Sequence, residues 1–128
     1  MICSDILTMA SNLLCEASGT KLLSTDFSER APYILAVYCG EVGELDKNYR
    51  EAFELEAQPV FNRSSLQLNS EFPLCDRFVS CAAFFTAAML ILDENAEISD
   101  LFFEKYAQSV SAIKADIPAC SHSIKNVY

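Results

Sequence analysis

An all-α fold, a four-helix bundle-like domain with a buried third helix at its centre and a long loop or irregular hairpin between helices 2 and 3, is what this sequence predicts. Three observations predict it. Phe78 to Leu92 is a fifteen-residue, mostly apolar run bracketed by Asp76–Arg77 and Asp93–Glu94. Three further segments repeat apolar residues at helical spacing. Only three glycines and four prolines occur in 128 residues, too few for a loop-rich β-sandwich.

The apolar run explains the centre of the bundle. As a helix it extends roughly 22 Å at 1.5 Å per residue, short of the ~30 Å hydrocarbon core of a bilayer. Ser80 and Thr86 interrupt it, and charges rather than aromatic residues flank it. A helix apolar nearly all round and too short to span belongs in a core. No basic flank followed by an apolar segment opens the chain, so neither a signal peptide nor a membrane role is expected.

The first helix is expected from about Ser4, as N-cap, to Ser18. Ile6, Leu7, Met9, Ala10, Leu13, Leu14 and Ala17 form its stripe, and Gly19 supplies the stop. After the connector TKLLSTD, Asp26 or Ser28 caps the second helix, with Pro32 in its first turn. Ala31, Ile34, Leu35, Tyr38, Val42, Leu45 and Tyr49 make one continuous apolar face. Glu29, Arg30, Glu41, Glu44, Asp46 and Lys47 fall mostly on the other face, and the helix frays between Asp46 and Phe53. Gly40 and Gly43 each cost about 1 kcal/mol against Ala; close helix packing or a bend would account for them.

Between Gln58 and Leu74 the pattern changes to QPVFNRSSLQLNSEFPL, with two prolines, a turn-like NRSS and brief alternation. Loops this long are often functional. The third helix follows over about Cys75–Asp93. After the turn DENAE, Ile98, Leu101, Phe102, Tyr106, Val110, Ile113 and Ile117 line one side of the fourth, which Pro118 ends. The tail 119–128, ACSHSIKNVY, is too short for its own core; its Ile124, Val127 and Tyr128 are expected to dock on this subunit or a neighbour. The whole, 1–128, is one helical domain.

The net charge of −9 and the scatter of nine basic residues disfavour a nucleic-acid-binding face. Six cysteines occur without a CxxC pair and with a single histidine, His122, in the polar tail context SHS. That excludes the usual zinc spacings and a rigid nucleophile–histidine pair. Cys15, Cys39 and Cys81 fall in apolar helical segments and behave as small hydrophobes, reduced in a cytosolic setting. No cofactor is expected.

One constellation is the lead for an enzymatic role. GEVGELD, Gly40 to Asp46, with the later EISD, Glu97 to Asp100, resembles the acidic helix motifs of all-α nucleotide pyrophosphohydrolases of the MazG-like class. That resemblance implies Glu41, Glu44, Glu97 and Asp100 holding Mg²⁺ against a triphosphate, and carboxylates at i and i+3 do share a helix face. The sequence departs from that family at Gly40, where it has another acid, and in the 53-residue separation of Glu44 from Glu97. The competing explanation is a solvated acidic face and acids favouring a helix N-terminus.

The second half, FPLCDRFVSCAAFFTAAMLILDENAEISDLFFEKYAQSVSAIKADIP, is similar to the closing half of small all-α head-tail connector (adaptor, neck) proteins of tailed bacteriophages and prophages. The earlier ERAPYILAVYCGEVGELD stands in the expected order. This is a likeness of helix lengths and residue classes. It implies a structural protein of the virion neck, made in the bacterial host cytoplasm, that forms a homo-oligomeric ring between portal and tail when assembled, is a monomer alone, and binds portal and tail-completion proteins. It is expected to be non-enzymatic and to bind neither membrane nor specific nucleic acid. The partner-binding residues it implies are Phe61, Asn62, Arg63, Leu66, Leu68 and Phe72 in the loop, with Ile124, Val127 and Tyr128 in the tail. The alternatives are the Mg-dependent hydrolase and a cytosolic helical interaction module.

Overall fold

In the computed structural model, which describes residues 1–18 and 25–118, four helices follow one another: α1 (Cys3–Ser18), α2 (Thr25–Ala52), α3 (Val79–Ile91) and α4 (Ala96–Asp116). A 3-10 turn, Asp76–Phe78, leads directly into α3. The helix-3 segment is the centre of the bundle, as expected, because α1, α2 and α4 all pack against it. Ten of its thirteen residues are buried, from Val79 to Ile91. The expected stop at Gly19 and the tail residues Ile124, Val127 and Tyr128 lie outside the described residues.

Polar groups close the ends of α3 onto its neighbours. The Arg30 guanidinium on α2 donates to the Met89 carbonyl (3.0 Å) and the Leu90 carbonyl (3.4 Å), so a cation sits on the C-terminal end of α3. Ser99 on α4 donates from Oγ to the Ala88 carbonyl at 2.8 Å inside the core. Asn95 caps α4 by accepting from Ile98 N–H at 3.1 Å. At the other end, Tyr38 donates its hydroxyl to the Phe78 carbonyl at 2.7 Å.

Several local details differ from the sequence reading. α1 starts at Cys3, and the residue that closes its first turn is Asp5, whose carboxylate accepts from Ile2 N–H at 3.3 Å, rather than Ser4. α2 begins at Thr25, so Pro32 is its eighth residue and not part of the first turn. The helix tolerates the missing N–H because Phe27 on one side of it, and Ile34 and Leu35 on the other, are buried in the core. α2 ends where fraying was expected, by a specific device. Glu54 takes a left-handed φ of 55°, and Leu55 N–H reaches back to the Arg50 carbonyl at 2.8 Å. Leu101, counted with the inner stripe of α4, faces outward, since Phe102 beside it takes the core position.

No strand forms among the described residues; the only pairing is an isolated antiparallel bridge between Ile2 and Glu71. The irregular hairpin is therefore not one. The loop instead pairs with the start of the chain: Phe72 N–H donates to the Met1 carbonyl (2.9 Å) and Cys3 N–H to the Ser70 carbonyl (2.9 Å). Ser4 N–H donates to the Leu68 carbonyl at 2.8 Å. Two amides at the N-terminus of α1, which no intrahelical carbonyl serves, are thus capped by the loop.

The interior is aromatic around Tyr38, whose ring lies 6.3 Å from Phe72, 5.7 Å from Phe85 and 6.1 Å from Tyr106. Thr86 is the one polar side chain in the core without a hydrogen-bond partner among the described residues. A valine of the same shape removes that desolvated hydroxyl, so Thr86→Val is expected to stabilise the fold by roughly 1 kcal/mol, read from the urea midpoint.

Cys3, Cys39 and Cys81 are buried, Cys15 and Cys75 partly so, and all five are free thiols. Burial pushes the Cys81 and Cys75 thiols up to about 11 from 9.0. A raised thiol pKa means that the folded state holds its proton longer than the unfolded chain. Its contribution is complete below pH 9 and is lost as pH rises from 9 through 11. Urea midpoints are expected to be flat up to about pH 8.5 and to fall across that window; Cys81→Ala should flatten the fall.

Candidate functional site

The segment between α2 and the 3-10 turn, residues 53–75, is the feature the helices do not explain, and one buried carboxylate holds it in place. Asp46, on the polar face of α2 by sequence, is 0% exposed. Its Oδ2 accepts from Arg50 Nε (2.8 Å) and from Gln58 Nε2 (2.9 Å), and its Oδ1 accepts from Cys75 N–H (2.9 Å). Both oxygens are thus used, which is what a desolvated carboxylate requires. Arg50 carries the pattern outward, donating to the Glu56 carbonyl (2.8 Å) and the Pro73 carbonyl (3.0 Å). Gln58 donates a second time, to the Gly43 carbonyl at 3.0 Å. The loop therefore leaves α2, is clasped at residues 56–58, and is clasped again at 73–75.

Between the clasps the loop runs back along α2. Leu66 N–H donates to the Pro32 carbonyl at 3.0 Å, some eleven residues up the helix from Gly43. Leu66 and Phe72 are buried, so these two of the expected partner-binding residues belong to the core of their own subunit. Phe61 and Leu68 pack partly against it. Arg63 lies over the Phe61 ring, its guanidinium carbon 5.7 Å from the centroid. Asn62 accepts from Ser64 N–H at 2.8 Å, an Asx turn that shapes the tip. Of the loop set, Asn62 and Arg63 are exposed. Sequence reasoning passed over Phe53, Leu55 and Val60, which are the exposed apolar residues of this segment. An open cleft of about 520 Å³ lies within the loop, walled by Pro59, Phe61, Leu66, Gln67 and Phe72, with Glu71 at its polar side.

The four carboxylates of the hydrolase alternative are all described, and they do not come together. Glu41 accepts from the Tyr106 hydroxyl at 3.1 Å, and burial, followed by the charge of Glu41, raises the Tyr106 pKa. Glu44 meets Lys47 at 3.5 Å on the surface of α2. Asp100 and Glu97 are exposed on the first turns of α4, six and nine residues before Tyr106, roughly 9 and 14 Å along the helix axis. Magnesium ligands sit about 2.1 Å from the ion. No group of three or more His, Cys, Asp or Glu able to hold a metal occurs among the described residues. Nor is any helix among them long and apolar enough to cross a membrane.

Compared with family models, curated proteins and solved structures, the chain matches none of them. The site must be read from its own geometry.

Asp46 is the residue on which that geometry turns. Asp46→Ala removes the counter-charge of the nearly buried Arg50 and leaves Arg50 Nε and Cys75 N–H without their acceptor, and is expected to cost about 3–5 kcal/mol by urea denaturation. Faster amide exchange at Cys75 and Leu66 should accompany it.

Proposed function

We propose that the chain is an assembly protein of a phage or prophage neck, forming a ring between portal and tail, with the 53–75 loop as its docking surface. The observation that carries this reading is the clasped loop. A segment with little regular structure is fixed at both ends to a buried carboxylate while it presents Phe53, Leu55, Val60 and Arg63 outward. Holding a loop rigid before binding lowers the ordering cost of association. The likeness of helix order and residue classes to head-tail connectors supplies the assembly to which such a surface would belong. The separation of the four carboxylates leaves the hydrolase alternative without a supporting observation.

The test starts from the DNA flanking the gene. A portal gene and tail-completion genes are expected within a few reading frames. The full chain, co-expressed with that portal, should co-sediment as a ring, and Val60→Asp together with Arg63→Glu should weaken this at least tenfold. Flanking genes that encode no virion protein, or a portal that leaves the chain in the supernatant, would sink the proposal.

A further inference from the structure

α3 is apolar on every side, yet its neighbours leave one line of it open. Ser80 and Phe84, one turn apart, are two of its three residues that are not buried. The third, Met89, lies at the far end of the helix, where its carbonyl accepts from Arg30. Phe84 stacks on Phe102 of α4, with ring centroids 6.4 Å apart, and its remaining surface borders a groove against α1. Met9 and Leu13 wall that groove from α1, again one turn apart and only partly buried. The groove has a volume of about 360 Å³, with Glu16 at its rim. Glu16 is exposed and makes no ion pair among the described residues.

The end of α4 lies beside this groove. Asp116, the last residue of α4, accepts from Arg77 Nε at 2.8 Å, and Arg77 stands three residues before Ser80. The ten residues after Pro118 therefore start next to the Ser80 end of the groove. They can extend about 33 Å at ~3.3 Å per residue, whereas Ser80 to Phe84 spans only about 6 Å along the helix axis. In a chain of net charge −9, this segment has Lys125 and no acidic side chain.

We infer that residues 119–128 fold back over the groove of their own chain, seating Ile124 and Tyr128 between the Met9–Leu13 and Ser80–Phe84 walls, with Lys125 facing Glu16. Ile124 and Tyr128 share the i, i+4 spacing of both walls, so a helical turn carrying them packs as a ridge between two ridges. Removing Phe84, Met9 and the two tail side chains from water drives the contact. The exposed Lys125–Glu16 pair adds little energy and sets the direction in which the segment lies. The contact is made within one chain and away from the 53–75 loop, so its test is independent of the neck assignment.

Methyl NMR on the full chain with ¹³C-labelled methionine reads the contact directly, since Met9 lines the groove and Met89 serves as the control. The expected result is a nuclear Overhauser effect between the Met9 methyl and the Tyr128 ring. It should be absent between chains in a mixture of labelled and unlabelled protein. Ile124→Asp should erase it, move the Met9 resonance toward that of an exposed methionine, leave Met89 in place and lower the thermal midpoint by about 3–6 °C. A Met9 resonance that ignores Ile124→Asp overturns the proposal. So does an effect seen only between chains, one from Met9 to Leu22 or Leu23 of the α1–α2 connector alone, or one that sets Tyr128 on Phe53 instead.

Discussion

A carboxylate with no exposed surface, placed less than two turns from the C-terminal end of α2, organises more of this protein than any single hydrophobic contact does. Asp46 takes donors from its own helix, from the start of the loop and from the residue that opens the 3-10 turn. Those three points lie 12 to 29 residues away in sequence from it or one turn along α2, so the bonds form only when α2, the loop and the α3 entrance are already in register. Burying the charge without all three would cost several kcal/mol. The arrangement is therefore specific as well as stabilising: a misplaced loop leaves a desolvated ion behind.

The loop returns that constraint to the helices. Its carbonyls at Leu68 and Ser70 receive the first amides of α1, and its Leu66 amide reaches the Pro32 carbonyl inside α2. Leu66, Phe72 and Leu74 contribute side chains to the same core as α3. A segment that is irregular in backbone is thereby a structural wall of the bundle on one side and an exposed surface on the other. That duality connects folding to the proposed role. The loop cannot reorganise without uncapping α1 and exposing Asp46, so it would offer the proposed partner a single shape.

α2 is the element to which the loop is anchored. The loop lies along one flank of the helix, between the anchors at Gly43 and Pro32, and Tyr33, Val37 and Gly40 lie on the outward flank. The inner flank is spent on the core, where Tyr38 joins α2 to the 3-10 turn and to the aromatic rings of α3 and α4. One long helix thus divides its circumference among core, loop and solvent.

Hydrophobic periodicity was enough to define α1, α2 and α4 and the core stripes of α1 and α2, because burial of one face is a local property repeated every three to four residues, while the central position of α3 followed from a run apolar on all sides. The turn DENAE and Pro118 likewise framed α4 from sequence, although the capping role of Asn95 came only with the structure. Asp46 was not legible. A charged residue on a charged face reads as solvated unless its partners are known, and Gln58 and Cys75 are brought to it only by the path of the loop. Leu66 and Phe72, expected to bind a partner, are buried in their own subunit, which the sequence did not show for the same reason, and Val60 went unnoticed. Local pattern settles which segments are helical and which side is greasy. Which polar group is buried, and which apolar one is left outside, is decided by long-range packing, since desolvation depends on what covers a residue and not on its neighbours in the chain.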